Sequence, residues 1–423
     1  MTDHTAARRV VVLGGGILGV STAVHLVRGG AEVVLVTESA LASGASGRSL
    51  SWLNSAGMRS GSYHLLRILG IDRYRTLFAA DPGRDWLRFD GGLWWTTPDG
   101  AEATRARHAH EVANGYESHL VDGHGSESPP ISGADADGGV PGGGDAGRRV
   151  SGVQANADAD AGRQVSGVQA DTGGRRVSGV RVGAGERLAI HNPGDGWVSL
   201  PHLIRELADE LVRRGGRIVT GAGRCSVIVE DGRARGVRGA DGTSWRGDAV
   251  VAACGAQTPA VLADLGVDLP DASPLSMLVI TEPVETEVVT VLNTPRAAMR
   301  PNPGSTFAID HSWYEEQITE HDDGSCSIDE KYVKELVAEA SALLQGDVTL
   351  RAASWRLGRK PIPGDGEPVF GELESVPGCH VAFTHSGATL GLIAGELTAY
   401  EVLTGTGHPL LDDFRPGRFS RTG

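Results

Sequence analysis

The sequence is poor in cysteine, and its few cysteines lie far apart. Only four occur among 423 residues, and no two of them form a CxxC pair. Structural zinc sites and disulfide frameworks both need cysteines at short, regular spacings. We therefore expect neither a metal site nor a disulfide framework, and the cysteine usage is typical of a reducing, cytoplasmic compartment.

Basic residues and long apolar runs are also scarce. Lysine and arginine number 39 against 53 acidic residues, which gives a net charge of −14 and makes nucleic acid and anionic membrane surfaces poor partners. The apolar run at Val10 ends after four residues, and no basic stretch precedes it, so we expect no signal peptide and no transmembrane helix. A chain of this length forms two lobes with a substantial core, and a small molecule is the expected partner.

A glycine-rich turn follows the first apolar strand. Gly14, Gly16 and Gly19 form a GxGxxG pattern. Gly14 permits a tight turn, Gly16 lets the backbone approach a pyrophosphate, and Gly19 lets the next helix pack closely against the strand. The helix predicted from Ile17 to about Arg28 directs its first amides, those of Ile17 and Leu18, at the phosphates.

A carboxylate at the end of the next strand completes this pattern. Residues 32–37 read as a strand, and Glu38 closes it, followed by Ser39. A carboxylate at this point can accept both hydroxyls of an adenosine ribose. A glycine-rich βαβ corner without a ligand is the alternative for the glycines alone, but the complete order of elements favours a dinucleotide.

Two more glycine turns follow predicted strands. Gly255 comes directly after the apolar stretch 248–254, and the segment 385–391 lies between a strand at 380–384 and a helix predicted at 392–403. A strand that delivers a glycine loop into a helix N-terminus suits an electron-rich ligand. Further helices are predicted at 63–78, 200–214 and 330–344.

A segment of different composition interrupts the chain at 121–185. It is rich in Gly, Asp, Ala and Ser, and a short motif recurs from Gly147, Gly162 and Gly174, spaced by 15 and then 12 residues. Such a segment buries too little apolar area to offset its ordering entropy, so we predict a mobile surface loop. A partner-docking arm is the functional alternative.

Six motifs in this order resemble the D-amino-acid oxidase family of FAD-dependent oxidoreductases, over nearly the whole chain outside 121–185. They are the opening fingerprint, the GASGRS loop at 44–49, the turn 194–196, VVAACGA at 250–256, the segment 358–366 and HSGATLG at 385–391. The chain's tail is similar to bacterial amine and amino-acid dehydrogenases, including relatives of opine oxidase subunits.

The resemblance implies an α/β plus α+β fold. A discontinuous Rossmann-like FAD domain (1–58, 186–272 and 351–423) would interleave with a substrate domain on an antiparallel sheet (59–120 and 273–350). It also implies a set of FAD-binding residues: Gly14, Gly16, Ile17, Leu18, Gly19, Glu38, Ser39, Ser43, Gly44, Ser46, Gly47, Arg48, Ser49, Arg224, Gly255, Gly387, Ala388, Thr389 and Leu390. The amides of 387–390 would face the pyrimidine end of the flavin.

The chain departs from the family pattern in two places. Lys360 stands where relatives often carry a carboxylate-binding arginine, and lysine cannot form the two-pronged pair. The positions near Ser46 and Gly358, where relatives tether flavin, hold neither His nor Cys, so we expect noncovalent FAD. Lys360 is either an anion anchor or part of a structural ion pair, and Arg300 and Arg59 are rival anchors.

Other candidates belong to the substrate lobe and the flavin loop. His311, Trp313 and Tyr314 lie together, and one of them is expected to line the pocket; His385 has either a catalytic role or a loop-fixing hydrogen bond, and Trp52 is expected in the core. We therefore predict an FAD-dependent enzyme that oxidises a C–N bond of a small amine or amino acid, with oxygen or a carrier as acceptor. The alternatives are an FAD-binding subunit of a heteromeric dehydrogenase and a flavin-dependent hydroxylase.

Overall fold

The computed structural model describes residues 7–121, 177–181 and 188–419. The predicted loop at 121–185 therefore lies almost entirely outside the described residues. In the described part the helices are α1 (Ile17–Arg28), α2 (Gly61–Ala80), α3 (Ala101–Ala113), α4 (Leu200–Arg213), α5 (Thr258–Ala263), α6 (Glu330–Ser341) and α7 (Gly387–Thr404). None of these described helices is long and apolar enough to cross a membrane.

The strands are short and come from all parts of the described chain. In chain order they are β1 (Arg9–Leu13), β2 (Glu32–Val36), β3 (Trp52–Leu53), β4 (Leu87–Arg88), β5 (Gly92–Trp95), β6 (His119–Val121), β7 (Ala189–Asn192), β8 (Gly196–Val198), β9 (Arg217–Val219), β10 (Ser226–Glu230), β11 (Arg233–Arg238), β12 (Ser244–Arg246), β13 (Ala249–Ala252), β14 (Leu275–Thr281), β15 (Val291–Asn293), β16 (Ala298–Asn302), β17 (Thr306–Asp310), β18 (Thr319–Glu320), β19 (Cys326–Ser327), β20 (Ala352–Arg359), β21 (Val369–Glu372) and β22 (Cys379–Phe383).

A six-stranded sheet is built around β1. Its order is β21-β22-β13-β1-β2-β9, and every pairing is parallel except that of β21 with β22. The inner strands are almost continuously apolar and buried, as expected for a parallel sheet that is covered on both faces. Helices α1 and α4 contribute buried residues to the same core as β1 and β2.

An eight-stranded sheet forms the second large layer. Its order is β20-β14-β17-β16-β15-β5-β7-β6, and its pairings are antiparallel except that of β15 with β5. Helix α6 packs on one face, where it shares a core with the buried residues of β14, β16 and β17. Smaller sheets consist of β10-β11-β12, of β3-β8-β4 and of the β18-β19 hairpin.

Glycines let helices α1 and α7 pack in very close contact. A Cβ atom on Gly391 would lie 2.4 Å from Ile17 Cγ1, and one on Gly395 would lie 2.2 Å from Ser21 Oγ. Farther along, a Cβ atom on Gly29 would lie 2.3 Å from the Leu403 side chain. Along this series of contacts the residue numbers rise together, from Ile17 with Gly391 to Gly29 with Leu403. The two helices therefore run parallel, with their N-termini at the same end.

The α/β plus α+β class predicted from the sequence is confirmed. The helix predicted at 17–28 has these bounds in the structure, but α7 begins at Gly387 and not at Leu392, so part of the predicted glycine loop is helical. Helix α3 was not predicted. Strands β7 and β20 belong to the eight-stranded sheet, although their segments were expected in the FAD domain. The domain boundaries stay a prediction.

The contact between α1 and α7 leads to a stability prediction. Replacing Gly395 with alanine overpacks this interface, because the new methyl group would also lie 2.7 Å from a backbone carbon of Ser21. We expect Gly395→Ala to lower the free energy of unfolding by about 1–3 kcal/mol. Urea unfolding followed by circular dichroism measures this change.

A matched control lies at the start of the same helix. A Cβ atom on Gly387 would meet Ile17 Cγ2 at 3.7 Å, which is an ordinary van der Waals contact. We therefore expect Gly387→Ala to leave the stability unchanged or slightly higher. Equal stability of the two variants would contradict the proposed close packing.

Candidate active site

A cavity of about 1070 Å³ lies where four parallel strands end. The segments that follow β1, β2, β13 and β22 line one side, and residues of β14, β15, β17 and β20 line the other. Open α/β sheets bind their ligands at the carboxyl ends of the strands. The volume is at the upper end of the roughly 300–1,000 Å³ typical of sites for small ligands, so a large cofactor and a substrate can share it.

The GxGxxG turn forms the floor of this cavity. Gly14 has a φ of +124°, and a Cβ atom there would lie 2.2 Å from the Ala253 carbonyl oxygen. Gly19 does not line the cavity, but its Cβ atom would lie 2.0 Å from the Gly14 carbonyl oxygen, so it allows α1 to approach β1. Ile17 begins α1, and its amide donates to Ser46 Oγ at 3.0 Å.

The end expected to hold a ribose is formed by β2 and the loop before β10. Glu38 and Ser39 are exposed and line the cavity. The Glu38 carbonyl accepts a hydrogen bond from the Gly223 amide at 3.0 Å, which places the neighbouring Arg224 at the same end. The Arg224 guanidinium lies 3.3 Å from Asp264. The Arg224 side chain is therefore paired with a protein carboxylate.

The GASGRS loop folds over the cavity. Arg48 donates from Nη1 to the Ser43 carbonyl at 2.6 Å, and its guanidinium lies so close to Gly358 that a Cβ atom there would be 2.4 Å from Arg48 Cζ. Burial lowers the pKa of Arg48. Gly47 does not line the cavity, because its Cα faces the Ala42 carbonyl. The remaining predicted residues of the loop do line it, namely Ser43, Gly44, Ser46 and Ser49.

The N-terminus of α7 also faces the cavity. Gly387, Ala388 and Thr389 are its first residues, and amides at this position have no acceptor within the helix. Leu390 departs from the prediction. Its amide donates to the Ser386 carbonyl at 2.9 Å and its side chain is fully buried, so it cannot offer an amide to a ligand. Gly255, with a φ of +58°, lines the cavity beyond β13.

These residues fit an extended dinucleotide. A side chain at Gly14 would collide with the Ala253 carbonyl, Gly16 lines the cavity beside Ser46, and the N-termini of two parallel helices border the same cavity. These features favour phosphate or another electron-rich group. In the described residues no group of three or more His, Cys, Asp or Glu side chains could hold a metal ion.

Lys360 lies in an ion-paired cluster on the opposite wall. Its Nζ is 2.8 Å from Glu315 Oε1 and 3.4 Å from Asp310 Oδ2. Burial opposes the charged form, but the two carboxylates outweigh it and raise the pKa of Lys360. Tyr314 donates to Asp310 Oδ1 at 2.6 Å. Of the two alternatives for Lys360, this geometry favours the structural ion pair.

The other predicted substrate-lobe residues lie behind the cavity wall. Tyr314 is fully buried, and its hydroxyl also contacts the Met277 carbonyl at 2.7 Å. The His311 ring lies 3.2 Å from the Thr294 carbonyl, and Trp313 donates to the Arg296 carbonyl at 2.9 Å. None of these three side chains lines the cavity. The three residues do lie close together, but their side chains pack against the core of the eight-stranded sheet and not toward the cavity.

His385 and Trp52 do line the cavity, whereas Arg300 does not. Burial and the charges of Lys360 and Arg67 lower the pKa of His385 to about 4, so its ring is neutral near pH 7. Trp52 was expected in the core, and its indole donates to the buried Asp195 at 2.8 Å. Arg300 is 2 % exposed and binds the Leu50 and Pro301 carbonyls, which makes it a structural residue.

Several polar residues that line the cavity were not predicted from the sequence, among them three charged residues on its substrate side. Arg67, Arg107 and Asp310 line it together with the predicted Arg59. One signal could have revealed Arg67: it lies on the buried side of α2, one turn before Gly70 and Ile71, where a charged residue needs a special reason. Arg107 was missed because its helix, α3, was not predicted.

Comparison with known proteins agrees with this description. The family model for FAD dependent oxidoreductase (DAO) matches residues 9–187 and 177–401. Similar solved structures include iminodiacetate oxidase from Chelativorans sp. BNC1 (18 % identity, 96 % of this chain, 99 % of that one, TM-score 0.69), L-amino acid deaminase from Proteus vulgaris with its specific insertion deleted (20 %, 99 %, 96 %, 0.71) and glycine oxidase from Bacillus cereus (17 %, 96 %, 98 %, 0.67). At these identities they show a shared fold. No curated protein matches the sequence.

The position of Glu38 gives a prediction for cofactor binding. We expect Glu38→Gln to weaken FAD binding by about tenfold or more, because hydrogen bonds to a charged group contribute roughly 1.5–3 kcal/mol. Titration of the apoprotein with FAD, followed by quenching of flavin fluorescence, measures the affinity. Glu32 begins the same strand and is exposed outside the cavity, so Glu32→Gln serves as the control. Unchanged affinity in Glu38→Gln would contradict the assignment.

The ion-paired cluster around Lys360 gives a second prediction. Replacing Lys360 with methionine leaves the carboxylates of Asp310 and Glu315, which are 13 % and 20 % exposed, without their cation. We expect a loss of about 1–3 kcal/mol in the free energy of unfolding at pH 7. Urea unfolding at pH 7, followed by circular dichroism, measures this change.

The control for this variant is an exposed ion pair. Lys331→Met breaks the contact with Asp329, in which both side chains are more than half exposed. We expect this variant to lose much less stability than Lys360→Met, because solvent screens an exposed pair. A Lys360→Met protein of unchanged stability that binds substrate much more weakly would instead support the anion-anchor alternative.

Proposed function

The chain belongs to the family of FAD dependent oxidoreductases (DAO), and from this premise we propose that it oxidises a C–N bond of a small amine or amino acid. Bound FAD would supply the hydride acceptor for this reaction. The substrate carbon loses a hydride, the nitrogen lone pair forms the C=N bond, and the nitrogen releases a proton. Water then hydrolyses the imine to a carbonyl compound and a free amine or ammonia.

One observation carries this proposal. A single cavity joins the glycine turns of the six-stranded sheet to a polar wall of the eight-stranded sheet. The first part has the backbone geometry that suits a dinucleotide, and the second part offers charged and hydrogen-bonding side chains to a smaller molecule. A binding protein for the cofactor alone would not need the second part.

The residues of the chain act mainly by binding and orienting. Hydride transfer from a neutral amine requires little side-chain chemistry, so positioning and exclusion of water contribute most of the rate. His385 is neutral near pH 7 and can donate or accept one hydrogen bond beside the N-terminus of α7. The ion pair of Lys360 with Glu315 fixes the opposite wall. Neither residue has to act as a general base in this proposal.

We also propose that FAD is bound noncovalently. Relatives attach flavin covalently through a His or a Cys at two places in the chain. The matching positions here lie near Ser46 and near Gly358, and neither place has a His or a Cys. Cys225, Cys254 and Cys326 line the cavity. Burial raises the pKa of the Cys225 thiol and raises that of Cys254 to about 12, so little nucleophilic thiolate forms at these two positions at neutral pH. Denaturation would then release the flavin into solution.

The proposed activity predicts that substrate bleaches the flavin. The FAD-loaded protein is mixed anaerobically with a panel of amines and amino acids, and the absorbance of oxidised flavin near 450 nm is followed. We expect at least one member of the panel to reduce the flavin fully without any added acceptor. This readout is independent of whether oxygen or a carrier is the natural acceptor. A loaded protein that no amine or amino acid in a broad panel reduces would overturn the proposal.

A further inference from the structure

Three arginines form one patch of the cavity wall. Arg59 lies in the loop before α2, Arg67 lies on α2 and Arg107 lies on α3, and all three line the cavity. We call these three residues the arginine cluster. Three separate segments bring them together, and two of the three residues were not among the candidates from the sequence.

Two of the guanidinium groups converge on one point of the backbone. The Cβ position of Gly57 lies 3.3 Å from Arg59 Nη1 and 4.0 Å from Arg107 Cζ. Arg59 donates to the Ala56 carbonyl, and Arg107 stacks on the Trp94 ring with its Cζ 4.0 Å from the ring centroid. These contacts hold both groups in place, and both side chains line the cavity.

Arg67 is the most buried member of the cluster. It is 3 % exposed, and its partners are the neutral oxygens of Ser386, Asn54 and Thr389. Its Nε is buried and has no hydrogen-bond partner in the described part of the chain. A buried cation without a carboxylate is costly unless a ligand supplies the missing charge.

The charges in this patch do not balance. Among the described residues, the only carboxylate that forms an ion pair with the cluster is Glu111, whose Oε1 is 2.9 Å from Arg107 Nε. Burial, together with the charges of Arg67 and Arg107, lowers the pKa of Arg59 to about 10. Lys360 is neutralised by its own two carboxylates and adds no free positive charge. In the described part of the chain, Arg59 and Arg67 therefore have no carboxylate in ion-pair contact.

We propose that the arginine cluster binds two carboxylates of the substrate, so that the compound oxidised is an amino dicarboxylate. This inference rests on the proposed function, because it names the substrate class of the same cavity. A substrate with one carboxylate would leave one buried guanidinium uncompensated, whereas a dicarboxylate balances both. Arginine also suits this role because its planar donors match the two oxygens of a carboxylate.

The first test compares acids with their neutral counterparts. The FAD-loaded protein is mixed anaerobically with aspartate, glutamate and iminodiacetate, with asparagine and glutamine as amide controls, and with glycine and alanine as monocarboxylate controls. Both enantiomers are used where they exist. We expect a dicarboxylate to half-saturate flavin reduction at a concentration at least about tenfold lower than its amide or monocarboxylate counterpart. Equal values for acids and controls would overturn the inference and leave the proposed function intact.

The second test measures binding without turnover. Succinate and glutarate carry two carboxylates but no amine, and acetate and propionate are the matched monocarboxylates. We expect the dicarboxylates to perturb the flavin spectrum at concentrations about tenfold lower than the monocarboxylates. If no amine reduces the flavin, the proposed function fails. The titration with succinate, glutarate, acetate and propionate then tests by itself whether the cavity prefers dicarboxylates. Equal affinity for both classes of anion would then reject that site as well.

Variants locate the effect in the cluster. We expect Arg59→Gln and Arg67→Gln each to raise the half-saturating concentration of a dicarboxylate by about tenfold, while that of the amide changes little. Arg59→Lys should restore part of the affinity. Arg105 is exposed on the same helix as Arg107 and does not line the cavity, so Arg105→Gln is the control for general loss of charge. Thermal unfolding shows which variants are folded. If none of them is folded, the titration of the unmodified protein with dicarboxylates and monocarboxylates decides whether the site exists.

Discussion

The close parallel packing of α1 against α7 is the constraint on which the site depends. Gly391 and Gly395 bring the two helix axes so near that any side chain would collide with Ile17 or Ser21. Because the helices run parallel, both N-termini open into one cavity. Each N-terminus carries partial positive charge, so the pair defines a place for one large electron-rich ligand.

The rest of the molecule is arranged around this pair. Gly14 and Gly19 let α1 lie directly over β1, and Gly70 gives α2 the same close approach to α7, because a Cβ atom there would lie 2.4 Å from the Thr389 carbonyl oxygen. Helix α2 thereby carries Arg67 to Ser386, at the start of α7. The substrate side of the cavity is thus connected to the cofactor side by helix packing and by one buried guanidinium.

The sequence allowed the cofactor half of the site to be predicted far better than the substrate half. The residues around Gly14, Glu38 and Gly387 act through backbone amides, turns and strand ends, which leave a local pattern in the sequence. Leu390 shows the limit of that pattern, since the true start of α7 decides which amides are free. His311 and Tyr314 were grouped correctly by sequence, but the direction of their side chains depends on the sheet they pack in.

The sequence by itself determined the place of the dinucleotide turn, because glycine spacing and apolar periodicity are local features of the chain. The family and the fold class followed from the resemblance carried by six ordered motifs. Only the tertiary structure decided which cations are free. Lys360 is paired with carboxylates from β17 and the segment that follows it. Arg59, Arg67 and Arg107 come together from separate segments, and in the described part of the chain only Arg107 forms an ion pair with a carboxylate. Charge balance is a property of neighbours in space, and no spacing along the chain encodes it.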